Sequence, residues 1–192
     1  MRLSPHFRLS EFTETWRPEV ALNVELAQTG PYLSQMMRLC EDILEPMRAA
    51  FHDAPVRITS GFRYAELQPD GWHGLDVAIR LGRDWSQEQI AMYRLDYDPR
   101  SQHTRGEAAD LHVAGATERE VWEWLWHESP HPFGQIILEH GDRTTWVHVS
   151  IPGRRIAKLG GRPIYGEVLD WTPQDGYTTI ATVDRWDGRG RP

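Results

Sequence analysis

Three side chains in this sequence have the types and spacing to hold a metal ion. His103 and Asp110 lie seven residues apart in Ser101-Gln102-His103-Thr104-Arg105-Gly106-Glu107-Ala108-Ala109-Asp110, and His148 follows 38 residues later in Trp146-Val147-His148. Imidazole nitrogen and carboxylate oxygen are ordinary zinc donors, and near neutral pH histidine is neutral and aspartate ionised. Three such ligands leave one tetrahedral position for water, which is what catalytic zinc requires. Gly106 permits the sharp turn that folds His103 and Asp110 toward one point, and Ala108 keeps the neighbourhood uncrowded.

The alternation of a strand tells which neighbours share this point. Ala109 to Val113 reads as a strand, so Asp110 and His112 face one side. Three ligands and water already complete a tetrahedron, so His112 is a neighbour. Around the last histidine, Trp146, His148 and Ser150 share one face and Val147 and Val149 the other, which turns His148 to a cleft and the valines to the core. Glu139 ends the preceding strand. If the loop between the two strands has an even number of residues, Glu139 pairs with an even-numbered position and joins the face of His148, where a general base for a zinc-activated water is needed.

Other features compete for attention. His127-Glu128-Ser129-Pro130-His131 matches the H-E-x-x-H string of helical zinc proteases. Pro130 spoils it, because proline lacks the amide donor and clashes with the carbonyl of Trp126, so the helix should end before His131 reaches the face of His127. Trp122 and Trp126, four apart, read as core, and Trp124 as exposed. Cys40, the only cysteine, falls on an apolar helical stripe and reads as a buried, inert thiol.

The elements that must position these residues can be read in outline. The 192 residues suffice for one domain with a substantial core. The 21 basic residues, of which only Lys158 is lysine, stand against 28 acidic ones, and the resulting charge of −7 gives nucleic-acid binding no support. No run approaches the roughly 18 apolar residues of a membrane span, and the N-terminus lacks the apolar segment of a secretory signal, so cytoplasmic synthesis is expected. Leu33, Met36, Cys40, Ile43, Met47 and Ala50 mark a helix over 33–50, ended by Asp53-Ala54-Pro55. Val56 to Thr59 reads as a strand and Ser60-Gly61-Phe62-Arg63 as the turn leaving it. The segment from Pro69 to Arg100 reads as an elaboration, with a loop at 71–74 and a short helix over 86–93. Thr117 and Glu120 form a capping box that starts a second helix, stopping before Pro130. Gln135 to Glu139 and Thr145 to Ile151 read as a hairpin around Gly141-Asp142-Arg143, with a further strand at Tyr177 to Val183 and a disordered tip at 188–192. The order implies an α+β fold: an antiparallel sheet with helices packed on one side and a zinc site in a cleft on the sheet.

The pattern Ser-x-His-x-x-Gly-x-Ala-x-Asp followed by Trp-Val-His resembles the zinc peptidases of bacterial cell-wall peptides: D-alanyl-D-alanine carboxypeptidases, vancomycin-resistance dipeptidases and phage L-alanyl-D-glutamate endopeptidases. Phe7-Arg8-Leu9-Ser10-Glu11-Phe12-Thr13, Leu44-Glu45-Pro46-Met47-Arg48 and Ser60-Gly61-Phe62-Arg63 resemble further parts of that family in the same order, over about residues 7 to 151. The resemblance implies one zinc held by His103, Asp110 and His148, Arg63 binding or polarising the substrate, Ser101 orienting it, and a peptidoglycan peptide as substrate. It also implies Glu139 as the catalytic carboxylate, because Thr145 occupies the position, three before the last histidine, where the best-known members carry an acid. That departure leaves a second reading, a non-catalytic zinc protein that binds cell-wall peptide or belongs to a phage particle. Residues 1–152 would form the peptidase-like domain, with an insertion at about 69–100, and 153–192 an extension packed on it.

Overall fold

Alternating burial along the strands sets the architecture. The computed structural model describes residues 1–13, 24, 27, 28, 31–63, 101–152, 157–159, 162–164 and 166–183, so the insertion at 69–100 and the tip at 188–192 lie outside the described residues. Strands β1 (Val56–Ser60), β2 (Ala108–Val113), β3 (Gln135–His140), β4 (Thr145–Ser150), β7 (Gly166–Thr172) and β8 (Gly176–Val183) form a six-stranded sheet in the order β1-β2-β4-β3-β7-β8. The short strands β5 (Ala157–Leu159) and β6 (Arg162–Ile164) pair separately. Fold class is therefore mixed α and β around a mostly antiparallel open sheet.

The exception to the antiparallel expectation is the β3–β7 pair, which is parallel. β7, the next strand of this sheet after β4, lies on the far side of β3 and runs opposite to β4, and so in the direction of β3. A crossing connection, unlike a hairpin, leaves no turn signature between the two paired strands.

One face of the sheet carries Ala109, Leu111, Val113, Ile136, Leu138, Val147, Val149 and Val168, all buried in a single core with helix residues Met36, Leu39, Ile43, Met47, Val121 and Leu125. Each large side chain buried this way stabilises by about 1.5–3 kcal/mol. A one-residue slip of β2 against β4 would turn that set to the opposite face, so the core fixes the register. The same register places Asp110 directly opposite His148.

The first long helical stretch runs from α2 (Tyr32–Leu39) through a π-helical turn (Cys40–Leu44) to α3 (Glu45–Ala50), after the short α1 (Leu9–Thr13). The π turn follows from Pro46. With no amide there to reach the carbonyl of Asp42, the amide of Glu45 reaches back five residues to Cys40. Ala50, expected on the apolar stripe, is exposed, because the helix ends immediately after it and His52 and Asp53 turn left-handed. Helix α4 (Glu118–His127) starts on the full Thr117–Glu120 capping box and packs on β2, β4 and β3. Among the described residues no helix is long and apolar enough to cross a membrane.

Candidate metal centre

His103 sits in a single 3-10 turn (Gln102–Arg105), and short-range devices hold that turn in place. Ser101 caps it, its hydroxyl accepting from the amide of His103 at 3.3 Å. Gly106 closes it with φ of +69°, and a side chain there would meet the carbonyl of Tyr32 at 2.8 Å, so only glycine fits. The turn is clamped to the end of β1 from both sides. The Gly61 carbonyl accepts from His103 Nδ1 at 2.8 Å, and the Arg63 amide donates to the His103 carbonyl at 3.2 Å. Gly61 is itself obligatory, since a Cβ would stand 2.5 Å from the Phe12 carbonyl oxygen.

The clamp aims His103 Nε2 at the pair formed by Asp110 and His148. His148 Nδ1 lies 2.9 Å from Asp110 Oδ1, and His103 Nε2 lies 3.3 Å from each of those atoms. Gln102 Oε1 stands 3.1 Å from the other nitrogen of His148, Nε2. With Nδ1–H of His103 donated to Gly61 and Nε2–H of His148 donated to Gln102, three lone pairs point into one space. Lone pairs packed this closely in a buried site repel one another unless a proton or a metal cation lies between them, and in the metal-free protein a histidine proton shared with Asp110 fills that place. Two sides of the triangle, at 3.3 Å, match the separation of about 3.3–3.4 Å between ligand atoms of a tetrahedral ion with bonds of about 2.0–2.1 Å, and the third, at 2.9 Å, is shorter. The buried group His103–Asp110–His148 can therefore hold a metal ion.

The charge states suit that task. Burial pushes His103 below its usual value, against the pull of Asp110, which keeps the imidazole neutral near pH 7. Burial alone would raise Asp110, but the two histidines outweigh it and hold the carboxylate ionised well below its usual range. Glu139 pairs across the hairpin with Trp146, an even-numbered residue, because the loop between β3 and β4 spans four positions, 141–144. Its carboxylate therefore lies on the His148 face. Burial, and then the charge of Asp110, lift its pKa to about 7, against the opposing pull of His148, a hydrogen bond with Trp146 and the charge of Arg63.

Arg63, Ser101, His103, Asp110, Glu139 and His148 all line one cleft of about 390 Å³, together with Gln102, Gln135, Ile137, Leu169 and Tyr177. The cleft thus gathers every residue singled out from the sequence for metal, base and substrate roles. His112 stays outside the ligand group and pairs with Glu118 at 2.9 Å. Helix α4 ends at His127, and both His127 and His131 are exposed outside the ligand group, as Pro130 requires. Trp124, expected to be exposed, is half-buried against Phe51 at 6.2 Å between ring centroids. Cys40 is fully buried and its thiol lifted far above the usual range, chiefly by burial.

Sequence reasoning missed Gln102 and the Gly61 carbonyl as partners of the histidines. Gln102 could have been found as a side-chain acceptor beside His103, whereas a backbone carbonyl has no residue signature. The β7 and β8 residues of the cleft were also missed, because their place depends on the crossing connection. In comparisons with known proteins, neither a family model nor a curated protein matched this sequence.

Proposed function

We propose that this protein is a zinc metallopeptidase that hydrolyses a peptide bond in peptidoglycan stem or cross-link peptides, as a carboxypeptidase or endopeptidase. The observation that carries this reading is the convergence of two imidazole lone pairs and one carboxylate in a cleft that also holds Glu139 and Arg63. Two nitrogens and one oxygen suit zinc, and the Ser101–Asp110 pattern supports the cell-wall peptidase resemblance. Zinc held by His103, Asp110 and His148 would supply Lewis-acid polarisation of the scissile carbonyl and acidify water.

The chain's own groups would perform the remaining steps. Glu139, on the His148 face of the cleft, takes a proton from the attacking water and passes it to the leaving amine. Trp146 holds that carboxylate through its hydrogen bond. Arg63 has no ion-pair partner among the described residues and faces the cleft, which suits it to a substrate carboxylate or a developing oxyanion. Gln102 and Gly61 keep the two histidine rings in the ligating orientation.

The test is mass analysis of fragments from a defined muropeptide incubated with the zinc-loaded protein. A fragment pair whose masses sum to substrate plus water is expected, with a rate about 10²–10⁴-fold lower in Glu139→Gln at unchanged zinc content. An unchanged rate would remove Glu139 from the mechanism. Peptide binding without new amino groups would leave a non-catalytic binding protein.

A further inference from the structure

The cleft does not end at the metal-binding group. His148 lies opposite Ile137, and Ile137 opposite Leu169 on β7. One step along the same face, Glu139 lies opposite Trp171, and Trp171 opposite Tyr177 on β8. The register therefore continues the face of the candidate site across to the sheet's last strand, and Ile137, Leu169 and Tyr177 line the same cleft as His148.

The chemistry of that far end is apolar and aromatic. Ile137 and Leu169 are only 4% and 7% exposed, yet neither belongs to the core cluster, because both point to the opposite face. They form a floor. Tyr177 stands at its edge 64% exposed, with its ring 6.3 Å from that of Trp171. Gln135, whose amide donates to Glu167 at 2.6 Å, is the polar group alongside. Tyrosine beside an apolar floor offers packing area with little side-chain entropy to lose, which is the makeup of a ligand subsite.

The length of this extension speaks to the substrate. Three strand steps separate β4 from β8, and at about 4.8 Å each they span roughly 14 Å, the reach of about four residues of extended peptide. A free dipeptide would leave most of it empty. Arg63, carried by the turn after β1, marks the opposite end of the cleft.

We propose that the β7–β8 hairpin forms a substrate subsite, in which residues N-terminal to the scissile bond pack over Ile137 and Leu169 against Tyr177. The site then takes an extended peptide, its carboxylate toward Arg63, in preference to a free dipeptide. This proposal rests on the peptidase reading above and specifies which substrates it admits.

Calorimetric titration of the zinc-loaded Glu139→Gln variant, which slows turnover, tests it with two probes: D-alanyl-D-alanine and a stem pentapeptide ending in that dipeptide. The pentapeptide should bind at least about tenfold more tightly, and adding Tyr177→Ala should shrink that preference to about threefold or less, while Tyr177→Phe retains it. Equal affinity for the two probes, or a preference untouched by Tyr177→Ala, overturns the subsite and leaves the peptidase reading intact. Binding of neither probe by zinc-loaded protein overturns the subsite, and cleavage of the muropeptide then decides the peptidase reading separately.

Discussion

Two regions of this molecule carry histidines in zinc-protease patterns, and they have opposite fates. His127 and His131 belong to the more compact string, yet they finish as exposed side chains at the end of α4. His103 and His148, 45 residues apart, finish with Nε2 and Nδ1 3.3 Å apart in a buried site. The difference lies in the scaffold. A helix could unite His127 and His131 only by continuing through Pro130, whereas His103 and His148 are united by β-sheet register and a turn clamped to Gly61 and Arg63. Ligand spacing in sequence matters less than whether backbone hydrogen bonding can deliver it.

The largest effect that would break this comparison is on metal affinity itself. His103→Ala, Asp110→Ala or His148→Ala should each lower zinc affinity by more than about a thousandfold, measured by chelator competition, since each removes one of three protein ligands. The double substitution His127→Ala with His131→Ala should leave affinity unchanged. Loss of zinc in the double variant would mean that the helix end, not the sheet, holds the metal.

A smaller effect sharpens the role of the scaffold. Gln102→Leu keeps all three ligands but removes the acceptor for His148 Nε2–H, so zinc affinity should fall about 10–100-fold, with Gln102→Asn or Gln102→Glu recovering part of it. If affinity stays at the wild-type level, the tautomer of His148 is set by something other than Gln102.

The smallest effect concerns stability in the metal-free protein. Because Glu139 has its folded pKa raised from 4.5 to about 7, the native state keeps a proton in that window that the unfolded chain has released. Its contribution to stability therefore falls as pH rises from about 4.5 to 7 and stays low above. Glu139→Gln should be more stable than wild type at pH 8 by on the order of 2 kcal/mol, and nearly equal to it at pH 4, in urea denaturation of the metal-free proteins. A gain of the same size at both pH values would show that ionisation of Glu139 is not its source.

How much of this was legible beforehand differs by element. The hairpin of β3 and β4, the capping box of α4 and the termination of that helix before Pro130 were all readable, because each rests on local chemistry: alternation, a side-chain cap, a missing amide. The face shared by Glu139 and His148 was readable only conditionally, since it depended on the parity of a loop that spans 141–144. The parallel placement of β7 was not readable, because nothing local to Gly166–Thr172 states which strand it will join. For the same reason Leu169 and Tyr177 could not be assigned to the cleft. The π turn at Cys40–Leu44 lay between the two cases: Pro46 was visible inside a helical pattern, but its remedy, a five-residue hydrogen bond, is one of several ways a helix can accommodate proline.

X-ray absorption at the zinc edge of the loaded wild-type protein tests the central claim most directly. If His103, Asp110 and His148 hold the ion, the spectrum should show two imidazole and two oxygen ligands at about 2.0–2.2 Å, one zinc per chain. A sulfur ligand, three or more imidazoles, or a protein that retains no zinc would contradict it.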